Sequence, residues 1–212
     1  MIPAKPFYMI RHGETQANKD RVMAGSIDSP LTQRGRDQAY AIHDILAHLP
    51  VPPVAIAHSH LSRARDTAEI INQQLDLPMI EDADLAELHT GDWEGASYDE
   101  CRSILHSWDT PPNGESFEEF ITRLSRAKNK LLDAHDGPVL IVCHGGVFRA
   151  FGKMYGLNSR GVENCHMHEF EPHQDRPWFP WKVWQYDLSQ CRAKAAREKA
   201  ETYESALAAM AS

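Results

Sequence analysis

The sequence contains no apolar run of the roughly 18 residues that a helix needs to cross a bilayer. Its opening residues, with Pro3, Lys5 and Pro6, carry no apolar stretch of the kind that begins a secretory signal. The cytoplasm is therefore the expected compartment, and no membrane partner is expected. Cysteine is scarce. Cys101, Cys143, Cys165 and Cys191 are far apart and form no Cys-x-x-Cys pair, which speaks against a disulfide framework and against a thiolate zinc site. Positive charge is in deficit as well: 22 Lys+Arg against 30 Asp+Glu leave a net charge of −8. That balance disfavours nucleic acid as a partner, and it means that an anionic substrate needs a local pocket of positive charge. Repeats, low-complexity segments and internal linkers are also lacking. The 212 residues, 42% of them hydrophobic, are enough for one α/β domain spanning 1–212.

What the chain does have is a pair of apolar runs that each end in histidine. Phe7-Tyr8-Met9-Ile10 predicts a short strand buried on both faces, with Arg11-His12-Gly13 at its end. Val139-Leu140-Ile141-Val142-Cys143 predicts a second, ending in His144-Gly145-Gly146. Open α/β sheets place their ligands at strand ends. There a guanidinium offers a fixed charge for an oxyanion, an imidazole offers a nitrogen nucleophile, and glycine lets the backbone come close. These residue types suit phosphate. A single Arg-His-Gly reads as readily as a surface turn; its echo at a second strand end favours a site. A helix predicted over 147–155 starts behind Gly145 and Gly146 and sets backbone N–H groups beside the same place.

The segments between alternate helix and strand. Thr32 is a predicted N-cap for a helix buried along Gln38, Ala39, Ile42, Ile45, Leu46 and Leu49, and a strand follows at 54–57. A helix over 62–75 buries Ala64, Ala68, Ile71 and Leu75. Arg63 lies in its first turn, where a cation opposes the helix dipole unless an anion binds there; Arg65 reads as surface. Residues 84–95, with Gly91 and Gly95, predict an irregular loop in which Asp84, Asp92 and Glu94 face solvent. After a helix over 98–108, Ser116 and Glu119 form a capping box for a long helix to about His135, with Phe117, Phe120, Ile121, Leu124, Leu131 and Leu132 on its core face. Strands at 164–170 and 181–186 would close the sheet edge. A helix at 190–211 is expected to pack on its own domain, a homodimer contact being the second reading. His58-x-His60 and His166-x-His168 would point to opposite faces of a strand, so neither pair suggests a metal site.

Arg11-His12-Gly13-Glu14-Thr15 and His144-Gly145-Gly146 together resemble the histidine phosphatase superfamily, in its phosphoglycerate mutase-like branch. So do Pro30-Leu31-Thr32-Gln33-Arg34-Gly35, the set Ser59, Leu61, Arg63, Ala64, Thr67 and Ala68, and Leu85-x-Glu87 with Gly91-x-Trp93-Glu94-Gly95. The resemblance covers residues 7 to 165 and implies a three-layer α/β/α sandwich with a mostly parallel mixed sheet flanked by helices. It also implies catalysis without metal or cofactor on a small phosphorylated metabolite. His12 would be the nucleophile, forming a phosphohistidine that water discharges. Arg11 and Arg63 would clamp the phosphoryl group, with Asn18, His144 and the backbone at Gly145 as further donors, and Glu87 would be the proton donor. Ala17 stands where the family often has Trp, and Cys143 where it commonly has Ser or Thr. Only 18 residues (96–113) separate the Trp-Glu-Gly loop from the Gly-Glu-Ser turn, and Gly146 stands where the mutases typically have Asn. Both features favour a phosphatase over a phosphoglycerate mutase-type phosphotransferase. A non-catalytic phosphate-binding protein, the other alternative, would not need a nucleophile and an acid together.

Overall fold

The computed structural model describes residues 2–157, 161–173 and 178–186, with the backbone alone over 102–106. Strand β1 (Phe7–Arg11) is followed by a short helix α1 (Gln16–Asp20), then α2 (Gln33–Leu46), β2 (Ala55–His58), α3 (Ser62–Leu75) and β3 (Met79–Glu81). Next come α4 (Tyr98–Ser107), α5 (Phe117–Ala134), β4 (Val139–Cys143), α6 (Gly145–Met154), β5 (Met167–Pro172) and β6 (Trp181–Tyr186). The sheet order is β3-β2-β4-β1-β5-β6. The first four are parallel, while β5 runs antiparallel to β1 and β6 antiparallel to β5.

Period-two alternation along the central strands divides the core into two layers. Phe7, Met9, Ala57 and Ile141 pack with Phe120 and Leu124 of α5 and Phe151 of α6. Tyr8, Ile10, Ile56, Leu140 and Val142 pack on the opposite face with Ile42 and Ile45 of α2 and Ala64 and Ala68 of α3. The chain is thus the expected α/β/α sandwich with a mostly parallel mixed sheet. The predicted helix starts at Thr32 and Ser116 also stand: each side chain accepts the backbone N–H three residues on, and Ser116 and Glu119 complete their box.

Several boundaries differ from those expected. β3 was not anticipated, because three residues on a largely exposed edge carry no alternation to read. β5 begins at Met167 rather than 164, since Cys165 takes up a left-handed conformation, with φ 56°, while its N–H bonds Arg11 O. Helix α6 starts at Gly145, not 147, with His144 as N-cap. Glycine's weak helix propensity suggests a later start, but the first helical turn needs few intrahelical bonds. Residues 84–95 are irregular apart from two short 3-10 turns, Ala83–Leu85 and Gly91–Trp93. The helix expected at 190–211 lies outside the described residues.

Lys128 was not among the residues expected to line the core face of α5, yet it is 1% exposed. Its Nζ lies 3.0 Å from Met9 Sδ and 3.6 Å from the centre of the Phe151 ring. Sulfur and an aromatic face replace water poorly around an ammonium, and burial lowers the Lys128 pKa from 10.5 to about 7. Between those two values the unfolded chain holds a proton that the folded chain has lost. Stability should therefore rise with pH across that window, by at most about 1.4 kcal/mol per pH unit, and fall as pH drops back toward 7. Lys128→Met, similar in volume and without charge, should remove this slope and raise stability near pH 7. Denaturant melts of both proteins from pH 7 to 10 test this, and parallel curves would refute it.

Candidate active site

Three adjacent parallel strands, β2, β4 and β1, each deliver a histidine at the carboxyl end: His58, His144 and His12. The His12 N–H bonds Cys143 O at 2.9 Å, locking the ends of β1 and β4 together. The His12 and His144 rings lie 5.1 Å apart between centres. His12 Nδ1 is 2.8 Å from the carbonyl of Gly13, an acceptor, so Nδ1 carries the proton and Nε2 the lone pair. Burial, reinforced by Arg63 and Arg11, holds the His12 pKa well below its usual 6.5. His12 is thus a neutral imidazole with an available nucleophilic nitrogen. The turn beyond it is close-packed: a Cβ on Gly13 would come within 2.3 Å of Gly35 O, which is why a glycine follows this histidine.

Arg63 is 2% exposed, so its place in the first turn of α3 is an interior one. Its Nη1 donates to Ile27 O at 2.9 Å, its Nη2 to Gly25 O at 2.7 Å, and its Nε to His144 Nδ1 at 3.3 Å. Each terminal nitrogen keeps a second hydrogen for a ligand. Because a guanidinium only donates, His144 Nδ1 must accept, and its Nε2 proton goes to Ser59 Oγ at 2.7 Å. Both His144 nitrogens are therefore engaged within the protein, and the ring is fully buried. The expected hydrogen bond from His144 to a bound oxygen has no donor in this arrangement. The geometry instead places His144 behind Arg63, holding it.

Arg11 donates through Nη1 to Val162 O at 2.6 Å, while its Nε is buried with no hydrogen-bond partner among the described residues. Burial lowers the Arg11 pKa, the charge of Glu87 opposing that shift. Gly145 sits beside this group: a Cβ there would be 3.6 Å from Arg11 Nε. An unspent buried donor next to the first turn of α6 is a group that an anion could satisfy. Asn18 sits in α1, where Thr15 and Asn18 form a capping box. Its Oδ1 accepts from Thr15 N–H at 3.2 Å and from Asn164 Nδ2 at 3.1 Å, and the residue lines the same pocket as His12.

Glu87 meets α6 from the opposite wall. Its Oε2 accepts from Gly146 N–H at 2.9 Å and its Oε1 from Leu88 N–H at 2.8 Å. A Cβ on Gly146 would lie 2.0 Å from Oε1, so the carboxylate occupies the space that a side chain at 146 would take. The loop that carries Glu87 is clamped by Arg123 of α5. This guanidinium donates to the carbonyls of Asp84, Ala86 and Glu87 at 2.8 to 2.9 Å and forms a fork on Glu115 at 2.6 and 2.7 Å. Sequence reasoning missed Arg123, although an arginine between the core residues Phe120 and Leu124 was a signal that the helix face is not simply apolar.

Glu94 corrects a second expectation. Rather than facing solvent, its carboxylate accepts from Ser26 N–H and Ser26 Oγ, both at 2.7 Å, and from Thr90 N–H at 3.2 Å. Asp84 is likewise paired, with Arg126 at 2.6 Å. Asp28 accepts from Ser62 N–H and Oγ, capping α3 from outside its own segment, since Leu61 has no capping side chain. The 23–28 loop is thus stitched to Glu94 and Ser62, and it is the loop whose carbonyls hold Arg63. Among the described residues, no group of three or more His, Cys, Asp or Glu is placed to hold a metal ion. His12, Arg11, Arg63, Asn18, Glu87 and Gly145 surround one pocket of about 340 Å³, a size that suits a small metabolite.

A neutral histidine with the buried Arg63 and the half-buried Arg11 around the same pocket, and a carboxylate opposite, suits a phosphoryl-handling α/β enzyme. Residues 7–185 match the sequence profile of the histidine phosphatase superfamily (branch 1), and the chain belongs to that family. It is 35% identical over 154 residues to the adenosylcobalamin/alpha-ribazole phosphatase of Salmonella typhimurium, covering 66% of this chain and 74% of that protein. It is 36% identical over 155 residues to a metal-independent phosphoserine phosphatase of Arabidopsis thaliana, covering 67% and 65%. Mycobacterial glucosyl-3-phosphoglycerate phosphatase, solved in complex with VO3, superposes with a TM-score of 0.73 at 26% identity, over 85% of this chain and 97% of that one.

The tie from Glu94 to the loop that seats Arg63 has a measurable consequence. Glu94→Ala should release Ser26 and weaken binding of inorganic vanadate by about tenfold, the loss expected of a charged hydrogen-bond anchor. Glu94→Gln, which keeps an acceptor, should lose less. Equal vanadate affinity in all three proteins would mean that the loop seats Arg63 without Glu94.

Proposed function

We propose that the protein is a phosphomonoester hydrolase that works through a phosphohistidine on His12. The observation that carries this reading is the contact of His12 Nδ1 with Gly13 O, which makes Nδ1 the donor and leaves the lone pair on Nε2 of a buried ring that shares its pocket with Arg11 and Arg63. A histidine serving only as a cationic binder would be placed to hold its proton; here burial and both guanidinium charges drive it off.

In the first step His12 Nε2 attacks phosphorus in line as the ester oxygen departs with its electron pair. Arg11, Arg63, the Asn18 amide and the N–H at Gly145 neutralise and orient the phosphoryl oxygens. Glu87 protonates the leaving oxygen, and in the second step it takes a proton from the water that cleaves the phosphorus–nitrogen bond. His144 acts through Arg63 and is a positioning residue in this scheme. The shared family, and relatives named as phosphatases with unlike substrates, support hydrolysis of a phosphate monoester. The substrate is taken as a small phosphorylated metabolite. The short 96–113 segment favours release of phosphate over its return to another position.

His12→Ala should abolish turnover of every monoester, and excess chelator should leave wild-type rates unchanged. Glu87→Gln should slow hydrolysis of alkyl phosphates by about 10²-fold, because an alkoxide needs the proton, and should largely spare nitrophenyl phosphate at the phosphorylation step. Because the His12 pKa is pushed down, the acid limb of kcat/KM attributable to the free nucleophile should lie well below pH 6.5. Rapid-mixing assays of both ester types, with phosphate release and isomer formation followed together, decide the matter. Isomerisation without net phosphate release, or equal slowing of phosphorylation for both leaving groups in Glu87→Gln, would overturn the scheme.

A further inference from the structure

Gln38 lies half-buried beside the apolar stripe of α2, whose buried residues include Ala39, Ile42 and Ile45. Its side chain reaches the turn after β1, where Oε1 accepts from Glu14 N–H at 2.9 Å. An N–H can only donate, so the atom that faces it must be the amide oxygen. The peptide held in this way is Gly13–Glu14, and its carbonyl, Gly13 O, is the one that lies 2.8 Å from His12 Nδ1. A trans peptide is planar, with its N–H and C=O pointing in opposite directions. Holding one end therefore aims the other.

The preceding peptide, His12–Gly13, is tied at both ends as well. Its N–H donates to Thr67 Oγ1 at 3.0 Å, and its carbonyl, His12 O, accepts from Asn164 Nδ2 at 2.9 Å. Thr67 is fully buried, and its hydroxyl donates in turn to Arg63 O at 2.7 Å. Without such ties, a glycine leaves the peptides on either side of it free to rotate. Here α2 and α3 each send one polar side chain to stop that rotation. The turn has a separate anchor beyond it, since Glu14 O accepts from Thr32 N–H at 2.9 Å. Removing the Gln38 oxygen should thus leave the segment docked and free one peptide to tilt.

We infer that Gln38, with Thr67 on the other side of Gly13, is a positioning residue for the nucleophile: it aims Gly13 O at Nδ1 of His12 and so keeps the lone pair on Nε2. The inference rests on the hydrolase reading above. A neutral imidazole has one proton for two nitrogens, and the hydrogen bond made by one nitrogen decides where it sits. With the proton on Nε2, the ring has no lone pair to offer phosphorus. Gln38 and Thr67 both lie outside the pocket lining, so a substrate meets them only through the backbone that they hold.

Long-range nitrogen–proton NMR of protein labelled in its imidazole rings reads this directly, the His12 signal being assigned by its loss in His12→Ala. Wild type should show Nδ1 protonated and Nε2 bare. Gln38→Met and Thr67→Val, each close to the original in shape but without the acceptor, should move a share of the His12 rings to the Nε2–H form. In rapid mixing with nitrophenyl phosphate, phosphorylation should slow by about tenfold or more in both. Inhibition by inorganic phosphate, which reads the arginines, should change little in Gln38→Met. Gln38→Glu and Thr67→Ser, which keep an acceptor oxygen, should recover most of the rate. Thermal melts establish which variants are folded, and the wild-type spectrum tests the tautomer without any variant. A wild-type His12 protonated on Nε2 would overturn the inference. So would an unchanged tautomer in either folded variant, even with a slower rate, since the residue would then support the fold alone. Failure of the wild type to release phosphate from nitrophenyl phosphate would overturn the hydrolase reading, while the tautomer in the variants would still judge the tie to Gln38.

Discussion

The constraint on which the rest of the site depends is the desolvation of two guanidinium groups, the buried Arg63 and the half-buried Arg11, beside an uncharged histidine. Desolvating a guanidinium is costly unless its hydrogens find acceptors, and two like charges side by side add to the cost. Arg63 is accommodated by the carbonyls of Gly25 and Ile27 and by a His144 nitrogen that can only accept. Arg11 has Val162 O and keeps one buried donor unspent. Burial, reinforced by the same charges, holds His12 unprotonated, so the neutral imidazole and the pair of cations arise from one arrangement.

From there the constraint spreads outward. To offer its carbonyls to Arg63, the 23–28 loop must be held, and Glu94 and Ser62 hold it. To bring a carboxylate against α6, the 84–87 segment must be held, and Arg123 does so through three carbonyls while Glu115 balances its charge. Gly146 leaves room for that carboxylate. Each of these ties fixes the position of a group that lines the pocket. Loops carry the site, and polar ties give them a rigidity that apolar packing at the surface could not.

Much of this was legible in the chain. Two apolar runs ending in histidine located His12 and His144 at strand ends, because short runs rich in β-branched and aromatic residues read as buried strands. The helix starts at Thr32 and Ser116 could be read because a cap is a contact across three residues. For Arg63 the conflict with a helix dipole was only a hint, and the resemblance of Ser59, Leu61, Ala64, Thr67 and Ala68 around it to the family pattern singled it out. What could not be read were relations across distance: Glu94 with Ser26, 68 positions away, Arg123 with the carbonyls of 84–87, and Lys128 under the Phe151 ring. The same residue types in a loop or on a helix read by default as solvated charge, and only the folded chain shows which lost their water. His144 makes the point most plainly. Its place at a strand end was determined by the local pattern of the sequence. That both of its nitrogens would be taken by Arg63 and Ser59 was decided by the tertiary structure, because hydrogen bonds inside a packed interior depend on what three strands and a helix bring together.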